Sequence, residues 1–419
     1  MPDTSTTVAA VLVAADGLHR LPDVQVPGKV RFFDVEAVLQ TVRSELGVDA
    51  TVLTCLARGG SKTDYLLSST GTSDLGPATP TRPDDPLVAA AQAHLALPHD
   101  HPLTPAWTQP GWYADALAWI DEQVERTGPP VQVRSGGLSN VLRVPTSSGD
   151  VYFKALIHSS NVVLDRADAA PLLFAHEPRL LDRLSTVRPG QVVRPIVADH
   201  DRVWLLLPDL GVPLAQQTEL APWVSALEAH GRLQRGFTDS TDDLLAMGCV
   251  DRRLATVPDE LDRLFGADLV TAGLTADERG RLPARSKELR DSIDELASIG
   301  IPETLLHGDL HADNIAVRDG VPVTFDWTDA AVSHPFLDLI TFVGDRYELS
   351  RSPRVTDSYL AVWQDFAPLP ALRRALDLAG RLGALHQAIT SLHLADNVSG
   401  PSRAGMRAGA TQWVRKLLE

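Results

Sequence analysis

His307-Gly308-Asp309-Leu310-His311-Ala312-Asp313-Asn314, with Phe325-Asp326-Trp327 following after a short apolar passage, is the stretch on which the reading of this chain turns. It holds an Asp, an Asn five residues on, and a second Asp at the end of an apolar run. Leu305-Leu306 lead in, and Ile315-Ala316-Val317 leave as a strand. Arg318-Asp319-Gly320 turns the chain, Asp-Gly being a hairpin signal. Val321 to Phe325 return as a second strand and bring Asp326 beside Asn314. A lone Asp-x-x-x-x-Asn would read as ordinary loop polarity. The ordered set of Asp, Asn, hairpin and Asp asks for a chemical reason.

The expected reason is phosphoryl transfer. The spacing matches a kinase catalytic loop, where the Asp takes the proton of the acceptor hydroxyl while the Asn and the later Asp bind Mg²⁺. The reaction asks the protein for positioning and charge neutralisation more than for covalent chemistry. Mg²⁺ takes hard oxygen ligands and keeps several waters, so one carboxylate and one amide oxygen suffice.

Upstream, Val131 to Val144 reads strand, glycine turn, strand, around Arg134-Ser135-Gly136-Gly137-Leu138-Ser139-Asn140. Glycines let backbone N–H groups approach phosphates, and Ser139 and Asn140 could add side-chain donors. A Gly-Gly turn alone is as easily an ordinary hairpin. The next strand, Val151-Tyr152-Phe153-Lys154-Ala155-Leu156, carries one of only five lysines, against 33 arginines. A Lys within an apolar strand needs an anionic partner, which nucleotide phosphates supply. Kinase logic then asks for a Glu on a following helix. Glu177, just before Pro178, is preferred over the rivals Asp165 and Asp168. Val203 to Leu207 reads as a buried strand, and Pro208-Asp209-Leu210-Gly211 as a hinge turn.

Composition sets outer limits. The 419 residues are 44% hydrophobic and 22% charged, with 38 basic and 54 acidic residues and a formal charge of −16. That balance argues against nucleic acid as a partner. Two distant cysteines, Cys55 and Cys249, imply no disulfide framework. The start lacks a basic signal-peptide region and no apolar run is long enough for a bilayer, so a cytoplasmic protein without a membrane partner is expected. Residues 1–100 read as a small α+β unit, with a strand at Val8–Ala15, a helix over 34–46 capped by Asp34 and stopped by Gly47, and a hairpin around Gly59-Gly60. Residues 71–86 form a loop. Pro110 opens a helix over 111–126, whose tryptophans are expected to serve packing.

Together these residues resemble the aminoglycoside phosphotransferase family, small-molecule relatives of the protein kinases. The match rests on His307-Gly308-Asp309-Leu310-His311-x-x-Asn314, Asp326-Trp327 and Pro335-x-x-Asp338-Leu339, and extends upstream through the glycine turn, Lys154, Glu177 and the hinge. The resemblance implies an α+β, protein-kinase-like bilobal fold. Its N-lobe, over 101–210, would be a five-stranded antiparallel sheet with a helix, and its C-lobe, over 211–419, mainly helical. Residues 1–100 would add an accessory α+β domain, faintly Nudix-like but without the acidic helix of those hydrolases.

The resemblance further implies ATP, with GTP as an option, and Mg²⁺ as cofactors. Asp309 would be the catalytic base, and Asn314 and Asp326 the metal ligands. Gly136, Gly137, Ser139, Asn140, Lys154, Glu177 and Asp209 would form the nucleotide site. His307 would support the loop, and Asp338 would cap a helix or bond the loop backbone. His311 is open between structure and chemistry. The acceptor would be a small-molecule hydroxyl. A nucleotide-binding pseudokinase or regulatory module is the alternative. Trp327-Thr328 in place of Phe-Gly speaks against peptide substrates.

Helices over Leu220–Gln234 and Leu369–Leu394 are expected near the acceptor. Asp239, Asp242, Asp243, Asp329 and Asp345 could face a cationic acceptor or simply be caps and solvated charges. Asp329 is the strongest of them. His386 and His393 share a helix face, with packing the expected reason.

Overall fold

In the computed structural model, which describes residues 5–71, 84–98, 103–157, 174–344 and 346–419, the apolar run near the start is strand β1 (Ser5–Ala14). Val8 through Leu12 are all buried, so this strand needs cover on both faces. Val8, Ala10 and Leu12 pack with Val35, Val38 and Val42 around the helix Glu36–Leu46. Ala9 and Val11 pack with Leu87, Val88 and Ala91 of the helix Pro86–Leu95. Strands β2 (Gly17–Arg20), β3 (Val24–Pro27), β4 (Ala50–Gly59) and β5 (Lys62–Ser69) complete a sheet of order β2-β1-β5-β4, with β3 also on β1. Among the described residues of this sheet, β1 and β5 run parallel and the other pairs antiparallel.

Gly47 ends the first helix in the left-handed conformation, at φ 68°. Its start differs from the sequence reading. Val35 takes the N-cap position without a side-chain cap, and Asp34, one residue too early to cap, pairs through its backbone with Arg134 in an isolated bridge.

The second sheet contains β6 (Val131–Ser135), β7 (Ser139–Thr146), β8 (Gly149–Leu156), β9 (Val197–Asp199) and β10 (Trp204–Pro208), in the order β6-β7-β8-β10-β9 and antiparallel throughout. This is the five-stranded sheet expected of a kinase-like N-lobe. The helix Trp112–Gln123 covers it through an aromatic cluster, with Trp119 at 5.6 Å and Trp204 at 5.3 Å from Phe153. The tryptophans serve packing, as their helical spacing suggested.

A buried amide and a buried hydroxyl tie the two sheets at Val52, whose carbonyl also accepts from Ser135 Oγ at 3.0 Å. Gln132 Oε1 accepts from Val52 N at 2.7 Å, and Gln132 Nε2 donates to Val52 O at 3.1 Å. The side chain supplies the partners that β4 lacks at its irregularity between Val52 and Thr54. Gln132→Leu leaves both backbone groups buried and deprives each of this partner. Val52 O keeps its second bond, from Ser135 Oγ, so the expected loss is about 1–3 kcal/mol, chiefly from Val52 N, read by urea denaturation.

Both sheets fall in one compact unit (Met1–Arg166, Ile196–Asp209 and Asn397–Gly405). The other unit comprises Ala167–Pro195, Leu210–Asp396 and Met406–Glu419 and is mostly helical. Its longer helices include Glu177–Val187, Leu220–Arg235, Ala276–Ser298 and Leu369–Asp396. The third of these starts at a full capping box between Thr275 and Glu278. Trp223, Phe336, Trp363 and Leu385 lie in its hydrophobic core. Two small sheets cross this unit. One holds β11 (Val212–Pro213), β14 (Ile315–Arg318) and β15 (Val321–Thr324). The other joins β12 (Val250–Asp251), β13 (Thr304–Leu306) and β16 (Ala331–Ser333). Among the described residues no helix is long and apolar enough to cross a membrane.

Candidate active site

The hairpin after the His307–Asn314 loop forms as its sequence suggested. Ile315 pairs with Thr324 and Arg318 with Val321, leaving Asp319 and Gly320 as a two-residue turn at φ 51° and 78°. Phe325 N donates to Asn314 O at 3.1 Å, which brings the end of the second strand to the loop. Asn314 Nδ2 donates to Asp309 O at 3.0 Å. With the amide nitrogen committed, the oxygen is the group left to meet a hard cation. Among the described residues no three His, Cys, Asp or Glu side chains converge as a full metal cage. The Asn314 oxygen and the Asp326 carboxylate are the donor types that Mg²⁺ takes together with waters.

Asp326 sits at φ 63°, ψ 58°, a left-handed conformation unfavourable for a residue with a Cβ. Such a conformation persists only where its surroundings over-determine it. Thr328 Oγ1 donates to Asp326 Oδ1 at 3.2 Å. The next peptide is held on both sides. Trp327 N donates to Glu177 Oε1 at 2.9 Å, and His176 Nε2 donates to Trp327 O at 3.1 Å. The fully buried Glu177 therefore fixes the turn that presents Asp326.

The loop is anchored from below by Asp338, which is 2% exposed. Its Oδ2 accepts from His307 N and its Oδ1 from Gly308 N, both at 2.8 Å. His230 Nε2 and Gln234 Nε2 also reach Oδ2, each at 3.0 Å. Of the two roles the sequence left open, Asp338 bonds the loop backbone, and it makes no side-chain helix cap. Burial works to raise its pKa, but the His230 hydrogen bond, the adjoining imidazoles and the His307 N–H outweigh it and hold the carboxyl below its ordinary value. Gly308 is at φ +84°, and a Cβ there would run into the Asp329 carbonyl. Gln387 Nε2 closes the cradle by donating to Gly308 O at 2.8 Å. His230, Gln234 and Gln387 were not singled out from the sequence. They stand 79 to 108 residues from their partners, and nothing local marks them.

His307 is a support. Its Nε2 donates to Phe325 O at 2.9 Å, and its ring lies 4.7 Å from that of Trp327. His311 lies nearer Asp309, with Nε2 3.4 Å from Asp309 Oδ2 and Nδ1 3.7 Å from Asp313 Oδ2. Burial works to lower its pKa, but the Asp309 hydrogen bond and both carboxylate charges raise it on balance. Asp313 is held by the Tyr347 hydroxyl at 2.9 and 2.8 Å and by Arg346 at 3.1 Å. The side chain of Asp309 stays 43% exposed.

The other unit carries the glycine turn and Lys154. Lys154 lies in β8 between Val141 and Leu205 and is only 8% exposed. Ser139 is buried, and Asp209 is exposed just past β10. Two features differ from the sequence reading. Asn140 is fully buried, with Nδ2 donating to Ser135 Oγ at 3.3 Å, so its amide braces the turn from inside. Gly136 N donates to Ser139 O at 3.0 Å and Gly137 N to Ser402 Oγ at 3.1 Å, so both glycine N–H groups are engaged.

With the fold and the loop in view, comparison with known proteins decides the family. Residues 130–378, more than half of the chain, match the phosphotransferase enzyme family. The chain belongs to that family. No curated protein matches it. Among solved structures, this phosphotransferase resembles a choline/ethanolamine kinase family protein from Mesorhizobium loti at 16% identity and a TM-score of 0.50, over 74% of this chain and 94% of that one. The choline kinase LicA from Streptococcus pneumoniae is similar at 10% identity and a TM-score of 0.50, over 73% and 100%. A GDP complex of an aminoglycoside 2'-phosphotransferase of type IIIa matches at 15% identity and a TM-score of 0.50, over 73% and 94%. At these identities the likeness speaks to the fold, which is kinase-like.

In the phosphotransferase's helical unit, Asp329 lines a cavity of about 20 Å³ with Arg252, His386 and His393. That is the size of a water, not of a metabolite. The two histidines thus border a small cavity of mixed lining, where packing alone was expected. Asp242 and Asp243 lie in the first turn of the helix Thr241–Ala246, where a carboxylate suits the dipole. Asp165, Asp168 and Asp345 lie outside the described residues.

Burial pulls several histidines of this unit down. His307 is lowered, His386 falls to about 4 and His334 to about 3. In the unfolded chain they titrate near about 6.5. A depressed folded pKa means that stability is fully present above about pH 6.5 and is lost as pH falls toward the folded values. Melting temperatures are expected to be level above about pH 7 and to drop steadily between about pH 6.5 and 4. A profile flat to pH 4 would contradict the burial argument.

Proposed function

We propose that the chain is an ATP- and Mg²⁺-dependent phosphotransferase acting on a hydroxyl of a small molecule such as an aminoglycoside, a sugar or an amino alcohol, with GTP as an alternative donor. The observation that carries this reading is the pinned triad of Asp309, Asn314 and Asp326. Asn314 is tied to the Asp309 backbone, and Asp326 is held in a costly conformation by the peptide that Glu177 and His176 grip. A protein that spends strain on one carboxylate beside an amide oxygen has a use for both.

Asp309 accepts the proton as the acceptor oxygen bonds to the γ-phosphorus and the bond to the departing nucleoside diphosphate breaks. Asn314 and Asp326 hold Mg²⁺, which neutralises charge on the phosphates when bound. Lys154 takes the α- and β-phosphates. Gly136, Gly137 and Ser139 approach them through the turn, with Ser402 yielding its bond to Gly137. Asn140 supports that turn, and Asp209 marks the hinge. Residues 101–210 act as the nucleotide lobe, 211–419 as the catalytic lobe, and 1–100 as an accessory domain. The partner is a small-molecule acceptor, with no part for nucleic acid or membrane, in the cytoplasm.

The test is an ATP-consumption screen against aminoglycosides, macrolides, amino sugars, choline and homoserine. Acceptor-dependent loss of ATP supports the proposal. Tight binding of ATP and Mg²⁺ with no acceptor phosphorylated would replace it with a nucleotide-binding module.

A further inference from the structure

A cavity of about 270 Å³ opens beside the Gly136-Gly137 turn, within the unit that holds both sheets. Folded interiors contain few voids larger than a water. A cavity of about 150 Å³ already admits benzene, so this one has room for a bicyclic molecule. Neither Lys154 nor Asp209 is among its lining residues.

The lining defines the chemistry of an occupant. Phe32, Leu103 and Pro401 supply apolar wall, and Thr54, Thr104 and Ser402 contribute hydroxyls. Among the described residues no Asp, Glu, Lys or Arg lines the space. Its titratable groups are His94, whose pKa burial lowers, and Cys55, whose thiol burial pushes up to about 12. An ion entering here would leave water without a counter-charge, which is costly. A neutral molecule with an apolar body and a hydroxyl or two loses little.

One wall is also the latch of the glycine turn. Ser399 through Ser402 border the cavity, with Ser399 Oγ donating to Leu103 O at 3.2 Å and Ser402 Oγ accepting from Gly137 N at 3.1 Å. Gly137 must be glycine here because a Cβ would lie 2.7 Å from Ser402 Cβ. An occupant would touch the turn and its latch together.

We propose that this cavity binds a small neutral molecule, an aromatic or alicyclic alcohol of roughly ten to fifteen non-hydrogen atoms, and that its occupant holds Ser402 on the Gly137 N–H. The proposal rests on the cavity's own lining and does not need the phosphotransfer reading, with which it meets at one group: while Ser402 is held, the Gly137 N–H is withheld from the phosphates.

The test uses the full chain without nucleotide. Indole, 4-ethylphenol and 2-phenylethanol are the neutral probes, and benzoate and benzylamine the charged controls. Calorimetry and saturation-transfer NMR should give at least one neutral probe a Kd of about 1 mM or tighter, with both controls at least about tenfold weaker. Leu97→Trp fills the rim at a residue already 37% exposed, and Cys55→Met fills the interior. Each should weaken that probe by about tenfold or more. At saturation, hydrogen exchange of the peptide spanning Gly136–Leu138 should slow by about threefold or more. The proposal is overturned if no neutral probe binds, if both variants bind as well as the parent, if the charged controls bind equally, or if exchange at the turn is unchanged. None of these readouts depends on whether ATP is a substrate.

Discussion

Asp309→Asn is expected to lower phosphoryl transfer by about 10²–10⁴-fold, the usual worth of a positioned general base. The substitution removes one proton-accepting oxygen and little else. The Asn314 bond goes to the backbone oxygen of Asp309 and survives the change. Gly308, next to it, is held by Asp338 and Gln387, which are also untouched. Because the Asp309 side chain is 43% exposed and its nearest polar neighbour is His311 at 3.4 Å, the melting temperature should stay within a few degrees of the parent. Steady-state kinetics with thermal melts decides it. A variant that turns over at the parental rate would remove Asp309 from the chemistry. One that loses activity only by unfolding would make it structural.

Asp338→Ala should give the largest loss of stability, about 3–5 kcal/mol, because it strands several buried donors at once. His307 N, Gly308 N, His230 Nε2 and Gln234 Nε2 all converge on this carboxylate, and no solvent reaches it to take its place. The loss should reach the chemistry too, since two of those donors are the backbone groups just before Asp309. Asp338→Asn is expected to fall between parent and alanine, because one carboxylate oxygen becomes a donor facing donors. Urea titration measures the stability, and kcat on whatever remains folded measures the coupling. A Asp338→Ala protein within about 1 kcal/mol of the parent would contradict the network.

What could be read from the chain, and what could not, follows the sequence distance of each interaction. The hairpin carrying Asn314 and Asp326 is local, with its turn residues and pairing strands inside twelve positions, and it formed as read. The helices Leu220–Arg235 and Leu369–Asp396 carried their own apolar periodicity. Asp338 showed two possible roles, because its partners on the helix Leu220–Arg235 lie more than a hundred residues away. The bond of Glu177 to Trp327 N spans 150 positions and had no local signature. Asp34 was read as a cap on composition, but the helix begins one residue later, with Val35 at the N-cap and the Asp34 backbone paired with Arg134. Gly137 resembled a phosphate glycine, while its nearest demand for a missing Cβ comes from Ser402, 265 residues on. Local propensity ranks such candidates, and tertiary pairing decides among them.

The central claim is transfer of a phosphoryl group from nucleotide to an acceptor hydroxyl, and phosphorus NMR of a reaction with ATP, Mg²⁺ and an acceptor found in the screen tests it most directly. The account predicts a new phosphomonoester resonance coupled to a carbon-bound proton of the acceptor, growing as ADP grows and absent with Asp309→Asn. ADP appearing with inorganic phosphate alone, or the same ester formed by Asp309→Asn at the parental rate, would contradict it.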